Sequence, residues 1–245
     1  MSYKSDPALQ AVLFDLDDTL LYNDMEGTFL NRYFSALTDY ARHLCPPEEL
    51  IAALAAGAQA VQASQDPDGP TNEASFGAVF AAQLGRPWGE LHTFFGRFYE
   101  ERFPELRVYA RAHPDGRRAV QACLDAGYAV VIATNPLFPR RAIEHRLAWA
   151  GVDDLPFALI TTYENMHTSK PSPAYYLEVA ARIGVAPSAC LMVGNDLLRD
   201  ILPAQQVGMV TYLAEDWVAN PDPEIQPDRR GTLGDLIEWV EDGTH

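Results

Sequence analysis

Lysine is nearly missing from this 245-residue chain: Lys4 and Lys170 are the two present, and arginine supplies the rest of the eighteen basic residues. A chain that uses arginine almost everywhere and keeps a lysine at one interior position invites a chemical reason, because a compact ammonium facing carboxylates is a phosphate-handling arrangement. Cysteine is scarce too. Cys45, Cys123 and Cys190 are odd in number and show no CxxC spacing, which excludes a disulfide framework and fits reduced thiols in a cytoplasm. No segment approaches the roughly 20 apolar residues of a membrane span, and residues 1–7 hold no apolar run of a leader peptide. A soluble cytoplasmic protein is therefore expected. Positive charge is short overall, with a formal net charge of -16, so binding to a nucleic-acid backbone is excluded. An anionic substrate would have to be drawn in by local positive charge against the global field.

What is present is enough apolar material, 48% of residues, to fill a sizeable core. Ala11-Val12-Leu13-Phe14 is a short apolar run ending in Asp15-Leu16-Asp17-Asp18-Thr19, the pattern of a buried strand whose far end carries carboxylates. Between residues 22 and 107 the periodicity turns helical: Phe29, Tyr33, Phe34 and Leu37 recur at helix spacing, an alanine-rich stretch follows, and a Pro- and Asp-rich break falls at residues 65–70. After His113-Pro114-Asp115-Gly116 the chain alternates. Helices are expected over 117–126, 139–149, 173–183 and 197–206, with strands over 129–133, 157–160, 190–193 and 209–213, then a loop over 215–230 and a helix over 233–240. Strict alternation predicts an α/β fold with a doubly wound parallel, Rossmann-like sheet. The expected division is a core of residues 1–21 and 108–245 with an inserted helical cap domain over 22–107.

In such sheets ligands bind at the carboxyl ends of the strands. The first strand is followed by Asp15 and Asp17, the second by Thr134 and Asn135, the loop after the third by Lys170, and the fourth by Asn195, Asp196 and Asp200. Each cluster has a plain structural reading: turn-forming acids at 15–18, a helix cap at Thr134-Asn135-Pro136, a surface ion pair at Asp200. Together they converge on one end of the sheet.

In that order, the four clusters resemble the motifs of the haloacid dehalogenase-like hydrolases, with the helical insert where that family carries a cap of the C1 type. The resemblance implies a phosphatase that works through an aspartyl-phosphate on Asp15, with Mg²⁺ as cofactor and a small phosphorylated metabolite as substrate. Asp17, two residues on and on the same face of an extended backbone, would protonate the leaving oxygen and then activate water. Thr134 and Asn135 would donate to phosphoryl oxygens, Lys170 would neutralise nucleophile and phosphoryl group, and Asp200 would orient the ammonium. The metal would be held by Asp15, the carbonyl of Asp17 and either Asn195 or Asp196. This last choice marks a departure, since the family's commonest fourth motif has Asp where Asn195 stands, and an amide oxygen compensates less charge.

Asp17 favours phosphate chemistry over dehalogenation, which in this family proceeds without a second Asp. The absence of lysine from 22–107 excludes the phosphonate-cleaving branch, which uses a cap lysine. A phosphomutase remains an alternative, as does a binding or scaffold protein of weak turnover, suggested by Asn195. In the insert, Phe76, Phe80, Trp88, Phe94, Phe95, Phe98, Tyr99 and Phe103 read as the interior of a helical bundle. Arg32, Arg97 and Arg102 are candidates to meet a second anionic group. The histidines show no metal-ligand spacing, and the sequence carries no signal for an oligomeric state.

Overall fold

The computed structural model describes residues 9–242; Lys4 and the leader reading of residues 1–7 lie outside the described residues. Its centre is a six-stranded parallel sheet built from β1 (Ala11–Phe14), β4 (Ala129–Ile132), β5 (Leu159–Ile160), β6 (Cys190–Gly194), β7 (Val210–Ala214) and β8 (Arg229–Gly231), in the order β5-β4-β1-β6-β7-β8. β1 lies between β4 and β6 in matched register, Ala11 opposite both Ala129 and Cys190. All four of its residues are buried, as a strand covered on both faces requires.

The two-residue period of the strand sorts its side chains. Val12 and Phe14 pack with Val130, Ile132, Leu191 and Val193 against α5 (Gly116–Asp125), α6 (Arg140–Ala150) and α9 (Leu233–Glu241). Ala11 and Leu13 point the other way, with Val131 and Met192, against α7 (Pro173–Ile183) and α8 (Leu202–Gln206). Helices thus cover both faces, the doubly wound arrangement expected from the alternation.

The helical insert leaves and re-enters through a small antiparallel pair, β2 (Leu21–Tyr22) and β3 (Arg111–Ala112). Between them run a π-helical turn (Met25–Phe29), α1 (Leu30–Ala41), α2 (Pro47–Ala63), α3 (Asn72–Leu84) and α4 (Trp88–Glu101). Phe29, Phe98 and Phe103 are fully buried, each contributing roughly 1.5–3 kcal/mol by area. Phe103 stacks on Trp149 of α6 at 5.5 Å between ring centres, so the insert and the sheet domain share one apolar cluster.

Three local expectations are corrected. The strand anticipated from residue 157 is regular over Leu159–Ile160, because the Phe157 N–H turns back to the Leu155 carbonyl at 3.0 Å. The helix expected over 197–206 divides into a π turn (Leu197–Ile201) and α8. Pro203 brings no N–H to the Arg199 carbonyl, and the Tyr176 hydroxyl donates to that oxygen instead. The loop expected over 215–230 ends in β8, whose Arg229 and Arg230 are exposed at the sheet edge; a short charged edge strand discourages pairing with another chain.

Candidate active site

The ends of β1, β4 and β6 and the loop after β5 deliver the parts of the site. At the end of β1 the Asp15 N–H bonds to the Val193 carbonyl at 2.9 Å, which fixes the backbone from which its carboxylate projects. The chain then reverses with the N–H groups of Thr19, Leu20 and Leu21 all directed at the Leu16 carbonyl. Asp18, at φ 58°, turns its carboxylate onto the N–H groups of Asn23, Asp24 and Met25 at 2.8–3.0 Å and so pins the strand leading into the insert.

Asp15, Asp17, Thr134, Asn135, Lys170, Asn195, Asp196 and Asp200, the complete set singled out from the sequence, line one cavity of about 390 Å³. Lys170 is its centre. The ammonium donates to Asp15 Oδ1 at 2.7 Å and Asp200 Oδ1 at 2.6 Å, with 2% of its side chain exposed. The loop that carries it is held by Glu178, whose carboxylate accepts from the Thr168 N–H at 3.0 Å and its hydroxyl at 2.6 Å. Asp200 packs so closely on the β6 end that a Cβ at Gly194 would lie 2.2 Å from its carboxylate. Only glycine allows that approach.

Burial, reinforced by Asp200 and Asp17 and opposed by Lys170, pushes the Asp15 carboxyl up to about 8. Burial also raises Asp200. For Lys170 burial works in the opposite direction, yet the two flanking carboxylates outweigh it and hold the ammonium well above the usual lysine range. The physical content is a charge imbalance: two buried carboxylates share one ammonium, and the cluster is one positive charge short.

The oxygen atoms around Asp15 suit a hard cation. The Thr19 hydroxyl lies 3.5 Å from Asp15 Oδ2 and 3.3 Å from Asn195 Oδ1, so these oxygens border one space. Asn195 is oriented by its amide N–H, which donates to the Trp217 carbonyl at 2.8 Å. Asp196 is engaged elsewhere. One of its oxygens caps the following turn through the N–H groups of Leu198 and Arg199, and the other accepts from Asn220 at 2.7 Å. Among the described residues no three His, Cys, Asp or Glu side chains form a ready cage. One carboxylate with neutral oxygens remains a fitting set for Mg²⁺, which keeps several waters and takes few protein ligands.

Two partners escaped the sequence reading. Arg146 of α6 is 1% exposed, pairs with Asp17, and lies over the Phe138 ring at 4.7 Å, while its Nη2 is buried without a hydrogen-bond partner. Asn23 donates to the other Asp17 oxygen at 2.7 Å. The available signal for Arg146 was its position on the apolar face of α6, between Ala142 and Ile143 on one side and Leu147 and Ala150 on the other. Arg32, Arg97 and Arg102 lie away from the cavity, whose arginines are Arg146 and Arg199. The insert also meets the lysine loop directly. At the start of α3 the Asn72 N–H bonds to the Met166 carbonyl at 2.7 Å and Glu73 N–H to Tyr163 at 2.8 Å, while the Asn72 amide donates to the Thr168 carbonyl at 2.9 Å.

Comparison with known proteins bears on the family and the fold. An N-acetylmuramic acid 6-phosphate phosphatase of Pseudomonas aeruginosa is 27% identical over 87% of this chain and 85% of its own. Hexitol phosphatase B of Escherichia coli is 29% identical over 50% of this chain and 51% of its own; the chain spans about half the length of several of the curated relatives it matches. Among solved structures, a 2-haloacid dehalogenase from Pseudomonas syringae superposes with a TM-score of 0.65 at 22% identity, over 96% of this chain and all of the other, which shows a common fold. Residues 9–208 match the family described as haloacid dehalogenase-like hydrolase, and the chain therefore belongs to that hydrolase family as an enzyme whose named relatives include several phosphatases.

Proposed function

We propose that the protein is a Mg²⁺-dependent phosphatase that hydrolyses small phosphate monoesters through an aspartyl-phosphate on Asp15. The observation that carries this reading is the buried Asp15–Lys170–Asp200 array with Asn195 Oδ1 beside the second Asp15 oxygen. An Asp15 oxygen attacks phosphorus, the ester bond breaks, and the departing oxygen takes a proton from Asp17. Asp17 then accepts a proton from water as the water oxygen attacks phosphorus, which returns the Asp15 carboxylate and inorganic phosphate. Lys170 balances the charge on the nucleophile and the phosphoryl oxygens, and Thr134 and Asn135 donate to those oxygens. Arg146 and Asn23 hold the Asp17 carboxylate in place. Asp15, Asn195 and the Asp17 carbonyl would hold Mg²⁺, which would supply the positive charge the cluster lacks.

In this reading residues 22–107 act as the cap over a core of 1–21 and 108–245. Three free cysteines support a reducing, cytoplasmic setting. Among the described residues no helix is long and apolar enough to cross a membrane. Phosphate release from an aryl phosphate, with Mg²⁺ and with chelator, tests the proposal. Turnover should require the metal and vanish in Asp15→Asn while the protein stays folded; chelator-resistant release, or wild-type release from the variant, refutes it.

A further inference from the structure

Beside the catalytic cavity lies a second and larger one, about 650 Å³, walled by Phe34, Phe76, Phe80, Trp88 and Phe95 of the insert and by Phe138 of the sheet domain. Leu30, Leu137 and Phe138 line both cavities, so the two chambers adjoin at these residues. The aromatic residues that would make a bundle interior instead divide their work: Phe98 and Phe103 are buried in the bundle, whereas Phe76 and Trp88 keep a half-buried face on the chamber.

The polar groups around this chamber are largely occupied with one another. Arg141 bonds to Glu100 at 2.9 Å and Glu144 at 3.3 Å, His92 lies 3.3 Å from Glu73, and the Tyr33 and Tyr99 hydroxyls meet at 2.8 Å. A polyol or sugar placed there would lose hydrogen bonds to water and find few to replace them. A second anionic group would meet a rim where Glu100, Glu144 and Glu164 outnumber Arg140 and Arg141. Neutral apolar surface is what such walls accept.

Resting on the phosphatase reading, we infer that the preferred substrate is a phosphate monoester of a hydrophobic alcohol or phenol, with its phosphate at Asp15 and its apolar body in the aromatic chamber past Phe138. This differs from the hexitol, muramic acid and serine esters in the names of the relatives. Each methylene that enters such a chamber should raise kcat/KM roughly fourfold until the space is filled.

The test is the kcat/KM series for ethyl, butyl and hexyl phosphate and 2-naphthyl phosphate, alongside glycerol 3-phosphate and glucitol 6-phosphate. Hexyl and naphthyl phosphate should exceed the polyol esters by about a hundredfold. Gly96 and Ala58 line the chamber, and a Cβ at Gly96 meets nothing within 4 Å, so Gly96→Leu and Ala58→Phe should fold and narrow it. Both should raise KM for hexyl phosphate more than for ethyl phosphate, by a ratio of at least about ten. Rates indifferent to chain length, or polyol esters hydrolysed as well as hexyl phosphate, overturn this inference and leave the phosphatase reading standing. Phosphate release from no ester overturns both.

Discussion

Raising the pH should destabilise the metal-free protein, and Asp15 should be the cause. A carboxyl whose pKa is raised by folding holds its proton more tightly in the folded state. Its stabilising contribution is fully present below the ordinary value of 3.8 and is lost as pH rises through about 8. Between 3.8 and pH 7 lie about three units, and at about 1.4 kcal/mol per unit the ceiling is about 4 kcal/mol. Solvent reaches the 12% of the Asp15 side chain left exposed and screens part of this, so about 2 kcal/mol is expected, equal to about 4–8 °C for a chain of this size. Thermal unfolding from pH 5 to 8.5 in chelator should show this decline in wild type. Asp15→Asn should remove most of it, because Lys170 then faces Asp200 alone. Saturating Mg²⁺ should flatten the wild-type profile by supplying the missing charge. Parallel profiles for wild type and Asp15→Asn in chelator would show that the charge deficit does not reside at Asp15.

Three further outcomes follow from the same geometry. Asp17→Asn should slow the phosphoryl-transfer step more with an alkyl phosphate than with an aryl phosphate, by about tenfold or more in single-turnover measurements, because a good leaving group needs little protonation; equal losses would count against the acid role. Asn195→Asp should lower the Mg²⁺ concentration for half-maximal activity while Asp196→Asn, whose amide oxygen keeps the turn cap and whose amide nitrogen forfeits the Asn220 contact, should leave it within about threefold; the reverse pattern in a Mg²⁺ titration would move the ligand to Asp196. Arg146→Met gives up the Asp17 pair but also relieves a buried unpaired N–H worth about 1–3 kcal/mol, so stability should change by less than about 2 kcal/mol while kcat falls about a hundredfold; unchanged kcat would remove Arg146 from the positioning of Asp17.

The sheet was legible because buried parallel strands write themselves as apolar runs, and Asp15 and Asn195 sit where such a run stops, with Thr134 one residue further on. Lys170 stood out by rarity, and its neighbours by their order along the chain. Shorter features carried no such mark: β2 and β3 have two residues each, and β8 reads Arg229-Arg230-Gly231, where composition points to loop. Pairing across the fold was equally hidden. The contact between Asp17 and Arg146 joins residues 129 positions apart, and nothing local to either announces it. The proposal of Asn195 over Asp196 rests on the turn cap that already engages the Asp196 carboxylate, a matter of turn geometry that residue identity does not encode.

The grip of α3 on the lysine loop has a kinematic consequence. Two backbone N–H groups of Asn72 and Glu73 and one side-chain amide are spent on carbonyls of Tyr163, Met166 and Thr168, and lifting α3 would strip all three at about 1 kcal/mol apiece. The opposite flank is held as well, where Phe103 stacks on Trp149 and Glu100 pairs with Arg141. The insert is thus bonded to the sheet domain on both sides of the aromatic chamber, and an opening that parts the α4 side would leave the lysine loop, and hence the ammonium beside Asp15, anchored by α3.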